Sequence, residues 1–464
     1  MLGFIKIFFA PKEVATAPAN AWSNISVLKD GRIRNYGSYP RVAAEKNYVS
    51  YIESLDGGLS WKEHILPEGA LGNSYYFDEL GLYMRGDFYD GKVLVKKGKN
   101  QDEKPDEVIE IDLGGLNGGY GARHMIKLQN KNRYCFMVYC TPNSDSMQYT
   151  PVFVYSDDNG ETWNMKKLQT LGRVPMGPRD KGERWQNYAA EPAFVEFSDG
   201  TLYCLVRTSH YVFYQCYSFD GGDTWTDLEP SPFHAFATMP NLQRLSDGRV
   251  LISWSNSMPL AETDHSEESM SFDEPARNGV WEDVFTNRDV LTCAITEDNG
   301  KTWKGFREIA LASIRNSNYF RSHGGIEHGY DDKSLHQSQI IEMPYNKLLF
   351  GIGQHEVLRP IFLVDIDWLY ETEREDDLRN GLENFSTQLY VKSVLGSFKG
   401  FSGHASYNRT HGAMMVPDNV HEEAMLIRRI PDELLVSDIQ GAVWNYPLLK
   451  EGKVTVKYKV KARV

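Results

Sequence analysis

Short runs of alternating apolar and polar residues follow one another along the chain, and each run ends at a turn signal. In the stretch 191–225, three runs rich in aromatic and β-branched residues are connected in this way. A Ser-Asp-Gly turn at 198–200 joins the first two runs, and the segment 218–225 follows the third. Runs of this length with glycine-containing turns are typical of antiparallel strands. The stretch therefore predicts a β-meander.

A carboxylate stands at the start of the first of these runs, and a guanidinium stands at the end of the second. Glu191 and Arg207 are 207 − 191 = 16 residues apart. In an antiparallel pair with a tight turn, the start of one strand lies beside the end of the next. We therefore expect Glu191 and Arg207 to meet at one edge of the sheet.

The segment 218–225 has the pattern Ser/Thr-x-Asp-x-Gly-x-Ser/Thr-Trp, which occurs four times in the chain. The four copies are 54–61, 156–163, 218–225 and 296–303. The Asp can accept hydrogen bonds from nearby backbone N–H groups, Gly can supply a positive φ, and Trp can fill the space under the turn. We interpret each copy as a structural turn that marks one unit of a repeated β architecture.

These turns resemble the Asp-boxes, or BNR repeats, of the sialidase (neuraminidase) superfamily. The resemblance implies an all-β fold, a six-bladed β-propeller with Asp-box turns, as a single domain over 1–464. We assign the starts of the six blades near residues 39, 121, 191, 237, 334 and 402. The N-terminal strands within 23–35 and the alternating C-terminal segment 454–460 are expected to share the closing blade. The charged segment 365–378 is the one stretch that we predict as helical.

The resemblance also implies an arginine cluster that binds a sugar carboxylate. Its first arginine corresponds to Arg41 in Tyr-Pro-Arg-Val, its second to Arg207, one hairpin after Glu191, and its third to Arg288, which lies 296 − 288 = 8 residues before Thr296. Guanidinium groups suit this role because each can donate two parallel hydrogen bonds to a carboxylate.

The candidate catalytic residues are Glu191, His336 and Tyr330. The resemblance places a tyrosine nucleophile where this chain has His336 and Gln337, and the nearest tyrosine is Tyr330. An imidazole titrates in the range that suits a general base, and Glu191 would orient or activate the catalytic group. The aspartate that serves these enzymes as acid/base has no counterpart within 42–53.

Further binding residues are expected where the innermost strands of a propeller begin, because those strand starts collect around the central axis. The substrate-binding candidates added on this ground are Arg123, His124, Gln337, Arg409 and His411.

Three functions remain open from the sequence. The first is an exo-acting, sialidase-like glycoside hydrolase on an acidic sugar, sialic acid or a related carboxylated glycan. The second is a polysaccharide lyase on a uronate, in which the arginines neutralise the carboxylate and His336 and Tyr330 act as base and acid. The third is a carbohydrate-binding propeller without catalysis.

Composition and charge restrict the classes of partner that we expect the protein to bind. The formal net charge of −13 argues against nucleic acid, and a carbohydrate is the expected partner. The five cysteines lie in apolar runs without metal-ligand spacing, which predicts buried free thiols and neither a metal nor another cofactor. The N-terminal segment lacks a basic region and a cleavage site, and we find no apolar run long enough to cross a bilayer. We therefore expect no membrane association and favour a cytoplasmic location, while the sequence does not indicate the oligomeric state.

Overall fold

A computed structural model describes most of the chain. The described residues are 10–18, 25–37, 49–118, 124–142, 149–172, 189–208, 210, 212–235, 238–256, 290–311, 335, 338–352, 359–382, 384–386, 390–392, 402–404, 414–419, 422–427, 443–447 and 451–460.

Six antiparallel sheets form the blades of a β-propeller, and five of them have four strands in chain order or nearly so. Strand β1 (Lys12–Thr16) precedes blade one, which consists of β2 (Ile25–Val27), β3 (Ile33–Tyr36), β4 (Ser50–Ser54) and β5 (Lys62–Ile65). Blade two consists of β6 (Tyr75–Phe77), β7 (Leu82–Tyr89), β8 (Lys92–Gly98) and β9 (Glu107–Glu110). Blade three consists of β10 (Asn117–Gly118), β11 (Met125–Lys127), β12 (Tyr134–Thr141), β13 (Thr150–Ser156) and β14 (Asn164–Lys167), and both β10 and β11 pair with β12.

The other three blades follow the same plan. Blade four consists of β15 (Ala190–Glu196), β16 (Leu202–Arg207), β17 (Val212–Ser218) and β18 (Glu229–His234). Blade five consists of β19 (Asn241–Arg244), β20 (Val250–Trp254), β21 (Val290–Thr296) and β22 (Lys304–Leu311). Blade six consists of β23 (Gln339–Met343), β24 (Lys347–Gly351), β25 (Pro360–Asp365) and, outermost, β1. The predicted fold class, an all-β six-bladed propeller, is confirmed.

The ring is closed by the N-terminal strand. β1 pairs antiparallel with β25, from Lys12 opposite Leu363 to Thr16 opposite Pro360. Residues 454–460 have no strand assignment and are exposed, so the prediction of a C-terminal strand there is wrong. Alternation gives a segment strand propensity, but it does not specify a partner, and the outer edge of β25 is already occupied by β1.

Two blade assignments also differ from the prediction. The blade at 75–110 carries no Asp-box and was missed, while the region assigned to a sixth blade at 402–416 is not one of the six. Its described parts belong to short two-stranded sheets that pair β27 (Tyr390–Lys392) with β28 (Ser402–His404) and β29 (Met414–Asp418) with β30 (Glu422–Leu426). A third such sheet pairs β26 (Phe385–Ser386) with β31 (Val443–Trp444).

The predicted helix at 365–378 is reduced to one 3₁₀ turn, Ile366–Tyr370, in which the Asp365 side chain accepts a hydrogen bond from the Asp367 N–H. In the described part of the chain, no helix is long and apolar enough to cross a membrane. The prediction of a single domain over 1–464 stays a prediction.

Hydrophobic clusters lie between adjacent blades and hold the ring together. One cluster joins Met84 and Val93 of blade two to Phe136 and Val152 of blade three, and all four side chains are buried. Similar clusters lie between blades three and four, four and five, five and six, and six and one. Each fully buried side chain of this kind contributes about 1.5–3 kcal/mol. The five buried cysteines are free thiols, as predicted.

Blades one and two are joined by a polar network. The buried guanidinium of Arg34 donates to both carboxylate oxygens of Asp102, at 2.7 and 3.0 Å, and to Glu53 Oε2 at 2.6 Å. The Tyr36 hydroxyl donates to Gln101 Oε1 at 2.7 Å. These charge-assisted and buried hydrogen bonds fix the position of blade two.

The propeller has two edges that differ in construction. We call the edge at which the innermost strand of each blade begins the rim edge, and the opposite edge, which carries all four Asp-box turns, the box edge. In the first box, the Ser54 hydroxyl accepts from the Gly58 N–H at 2.8 Å, and Asp56 accepts from the Ser60 N–H at 2.9 Å and from its hydroxyl at 2.6 Å. The indole of Trp61 donates to the Gly58 carbonyl at 2.9 Å. Each box is therefore a self-contained turn, as predicted.

The glycine at the Gly position of the Asp-box pattern packs on the preceding blade. A Cβ at Gly222 would lie 2.3 Å from Phe153 Cε1 of blade three, and a Cβ at Gly300 would lie 2.9 Å from Phe197 Cζ of blade four. Because both glycines have positive φ, their conformation and the lack of space exclude other residues. The boxes thus connect neighbouring blades at the box edge.

Candidate active site at the rim edge

The central feature of the rim edge is an ion pair within blade four. Arg207 Nη1 donates to Glu191 Oε2 at 2.6 Å, and the two side chains are only 5% and 12% exposed. Glu191 stands at the beginning of β15 and Arg207 at the end of β16, so the expected meeting of these two residues is confirmed.

A β-bulge directs Glu191 away from the regular register. Ala190 lies opposite Arg207, while Ala193 lies opposite Leu205, so β15 has one residue more than β16 between these pairs. Bulges of this kind redirect a side chain and are frequent beside active sites. Here the extra residue falls within the pair Glu191 and Pro192.

The backbone of Glu191 is strained. Its φ of +41° lies in the left-handed region, which residues other than glycine seldom adopt. A residue in such a conformation costs about 1–3 kcal/mol and is retained where the surrounding structure requires it, often at functional sites. The stability of strand β15 therefore does not explain the backbone conformation of Glu191.

A pocket lies on the axial side of this bulge. The pocket is small, and four blades contribute to its wall. Its lining residues are His124, Met137, Pro192, Ala193, Phe194, Met239, Pro240, Asn241 and Gln339. Apolar walls with a few convergent polar groups are typical of small-molecule sites.

Asn241 determines which ring nitrogen of neutral His124 carries the proton. The Asn241 Nδ2 group donates to the Ser338 carbonyl, which can only accept, so the amide oxygen Oδ1 faces the histidine. This oxygen lies 3.1 Å from His124 Nε2. In the neutral imidazole, Nε2 therefore carries the proton and Nδ1 is an acceptor.

Blade two contributes Tyr75, which sequence reasoning missed because that blade has no Asp-box. The Tyr75 ring lies 5.9 Å from the His124 ring, and its hydroxyl accepts from Gln339 Nε2 at 3.2 Å. Gln339 also accepts from the Ile25 N–H of blade one at 2.9 Å through its other amide atom. One glutamine thus joins three blades at the axis.

His210 is a second residue that was not predicted. It lies in the loop after Arg207, where its backbone N–H donates to Thr208 Oγ1 at 3.0 Å and its ring lies 5.1 Å from that of Tyr214. Burial lowers the pKa of His210, because the charged imidazolium loses its hydration. The sequence feature that could have identified His210 is its position three residues after Arg207.

Of the predicted site residues, the structure describes Glu191, Arg207 and His124. The others lie outside the described residues: Arg41, Arg123, Arg288, Tyr330, His336, Gln337, Arg409 and His411. Among the residues that the structure does describe, no group of three His, Cys, Asp or Glu side chains could hold a metal ion.

The comparison with protein families agrees with the four Asp-boxes. Residues 124–332, a little less than half of the chain, match the family model of the BNR repeat-like domain. This part of the chain is therefore similar to BNR repeat-like domains. No curated protein matches this chain in sequence.

Several solved structures are similar in fold. A protein of unknown function from Dyadobacter fermentans is 16% identical, with 76% of this chain and 95% of that chain covered and a TM-score of 0.46. A variant of the NanB sialidase from Streptococcus pneumoniae is 12% identical, with 79% and 72% covered and a TM-score of 0.47. A sialidase from Trypanosoma rangeli is 13% identical, with 87% and 65% covered and a TM-score of 0.41.

Proposed function

We propose that this protein is an exo-acting, sialidase-like glycoside hydrolase that acts on sialic acid or a related carboxylated sugar. In this proposal the reaction takes place at the rim edge, beside the pocket between the blades. The proposal is carried by one observation, the buried Glu191–Arg207 ion pair on a strained bulge beside that pocket.

Each residue of the ion pair has its own role in this proposal. Arg207 holds Glu191 ionised, and an ionised carboxylate can accept a proton from a neighbouring catalytic group or fix its orientation. Together with Arg41 and Arg288, Arg207 would bind the carboxylate of the substrate. His336 and Tyr330 are the candidates for the group that Glu191 activates.

His124 is proposed to bind a hydroxyl group of the sugar. Its neutral form has Nδ1 as an acceptor, because Asn241 accepts from Nε2. Arg123, Gln337, Arg409 and His411 would complete the polar wall of the pocket.

The test is the product formed by the purified protein. We expect release of the fluorophore from a fluorogenic α-sialoside, and the Glu191→Gln variant serves as the control for a contaminating enzyme. Cleavage of a uronate polysaccharide with a rise in ultraviolet absorbance would instead identify a lyase, because elimination leaves an unsaturated sugar. Binding to a glycan panel without any product would leave a carbohydrate-binding propeller and contradict the proposal.

A further inference from the structure

The segment 454–460 has the pattern of a β-strand but lies exposed. Its sequence, Val-Thr-Val-Lys-Tyr-Lys-Val, places apolar side chains at every second position. The four apolar side chains are 67–84% exposed: Val454, Val456, Tyr458 and Val460. An exposed apolar stripe of this kind is characteristic of a surface that binds a partner.

A segment with a strand pattern that is not part of a sheet can pair with the open edge of a sheet. The outermost strand of a blade leaves one row of N–H and C=O groups open to pairing, and an extended segment can add to it as a further strand. The segment 453–460 carries three positive charges, Lys453, Lys457 and Lys459, and no negative one. Its partner edge is therefore expected to be acidic and free of proline.

The outer strands of the blades differ in these properties. β14 carries Lys166 and Lys167, which would repel the segment, and β18 contains Pro230 and Pro232, which lack the N–H group needed for pairing. β22 is already contacted by Asn445, whose side chain accepts from the Glu308 N–H at 3.1 Å and donates to the Glu308 carbonyl at 2.9 Å.

The outer strand of blade two matches the segment best. The stretch 106–112 has four acidic residues and no basic one. Of these, Glu107 and Glu110 of β9 pair with Lys97 and Lys92 of β8, and Asp106 and Asp112 flank the strand. Its apolar residue Val108 is 50% exposed. The outer strands of blades one and six, with sequences Lys-Glu-His-Ile and Lys-Glu-Val-Ala-Thr, carry one charge of each sign.

We propose that residues 454–460 add as a strand to β9 of a second copy of this chain. If each copy donates its segment to the other, the interface is used twice and the dimer closes with two-fold symmetry. Within its own chain, the described contact of the segment is a single ion pair, Lys459 Nζ to Asp418 Oδ1 at 3.6 Å. Pairing with β9 would bury the apolar stripe and satisfy the backbone of both strands. The small contact area makes the dimer concentration-dependent.

Cysteine cross-linking between two single variants tests this pairing. Protein carrying Tyr458→Cys is mixed with protein carrying Val108→Cys under mild oxidation, and the native cysteines do not interfere because all five are buried. We expect a disulfide-linked heterodimer on a non-reducing gel. The matched control is Ile65→Cys, on the outer strand of blade one, which is 60% exposed and is not expected to cross-link with Tyr458→Cys. Equal cross-linking to both positions, or to neither, contradicts the proposal.

The oligomeric state provides the second measurement. Sedimentation of the unmodified protein should show dimers whose fraction increases with concentration, and Val456→Asp combined with Tyr458→Asp should abolish them. Leu59→Asp removes a comparably exposed apolar side chain, 57% exposed, at the box edge of blade one and should leave the dimer intact. A protein that stays monomeric at about 100 μM, well above the Kd typical of a specific interface, would overturn the inference. The inference would also be overturned if a chain with both Tyr458→Cys and Val108→Cys formed only an intramolecular disulfide.

Discussion

The rim edge and the box edge are formed by the same strands but differ in construction and in role. At the box edge, four turns of nearly the same sequence satisfy their own hydrogen bonds and pack one glycine each on the preceding blade. At the rim edge, the described residues include a bulge, a strained carboxylate at Glu191 and polar contacts that cross from blade to blade. Regular turns keep the ring assembled, whereas irregular backbone positions individual side chains.

Each edge also contains a buried ion pair, which makes the comparison testable. Arg207 and Glu191 pair at the rim edge, at 2.6 Å, and Lys347 and Asp365 pair at the box edge, at 3.0 Å. Asp365 additionally accepts from the Asp367 N–H at the start of the 3₁₀ turn, so its role is accounted for by local structure. Glu191 sits instead on a conformation that costs stability, which a purely structural ion pair would not require.

The largest effect is expected when the two acids are neutralised in parallel. Glu191→Gln should lower kcat by about 100- to 10 000-fold, because it removes the charge that activates the catalytic group. Asp365→Asn should leave kcat within about threefold and should lower the free energy of unfolding by about 3–5 kcal/mol, because it removes the carboxylate charge from a buried ion pair. The measurements are sialoside turnover well below both melting temperatures and urea unfolding. Equal losses of turnover in the two variants would remove the distinction between the edges.

A second prediction concerns the packing of an Asp-box glycine. Gly222→Ala should lower the free energy of unfolding by about 2–5 kcal/mol, because positive φ costs about 1–2 kcal/mol and the clash with Phe153 adds about 1–3 kcal/mol. Gly31→Ala is the control, since Gly31 has a φ of +85° and a Cβ there would meet no atom within 4 Å. Only the strain component should appear in that variant. Denaturant unfolding checks both, and equal losses would show that the box does not pack on the neighbouring blade.

The smallest effect is expected from the pH dependence of a box carboxylate. The hydroxyl of Thr162, its backbone N–H and the Ser156 hydroxyl lower the pKa of Asp158 to about 2 from an ordinary value of 3.8. Because the folded-state pKa is the lower one, the stabilising contribution is present above about pH 4 and is lost as the pH falls towards 2. The difference in melting temperature between the wild type and Asp158→Asn should therefore shrink over this range. A difference that stays constant from pH 5 to pH 2.5 would contradict the assignment.

The sequence predicts the repeated parts of the fold better than its exceptions. The Asp-box pattern is local, since the hydrogen bonds that its Asp side chain accepts come from residues within eight positions, so four copies can be recognised from the residues alone. Blade two lacks this signal, and its attachment depends on Arg34 and Asp102, which are 68 residues apart. The closing strand was also misjudged, because the alternation in 454–460 is a property of the segment and the pairing of β1 with β25 is a property of the ring.

The same distinction applies to the candidate site. The contact between Glu191 and Arg207 follows from a short hairpin, and it was predicted from spacing. The bulge at Glu191 and the approach of Tyr75 and Asn241 to His124 depend on how blades two to five meet at the axis, and no local pattern encodes that. The roles proposed for all of the site residues, Glu191 and Arg207 included, stay predictions.

Calorimetric titration with N-acetylneuraminic acid tests the central claim most directly. Arg207→Lys keeps the charge at the rim edge but loses the planar fork, so we expect affinity to fall by about tenfold or more, which is about 1.4 kcal/mol. Arg133→Lys makes the same change in an equally buried guanidinium at the box edge, where Arg133 pairs with Asp157 and Asp223 at 2.7 Å each. That variant should bind the sugar like the wild type while losing stability. Unchanged binding in Arg207→Lys, or an equal loss in Arg133→Lys, would contradict a functional rim edge.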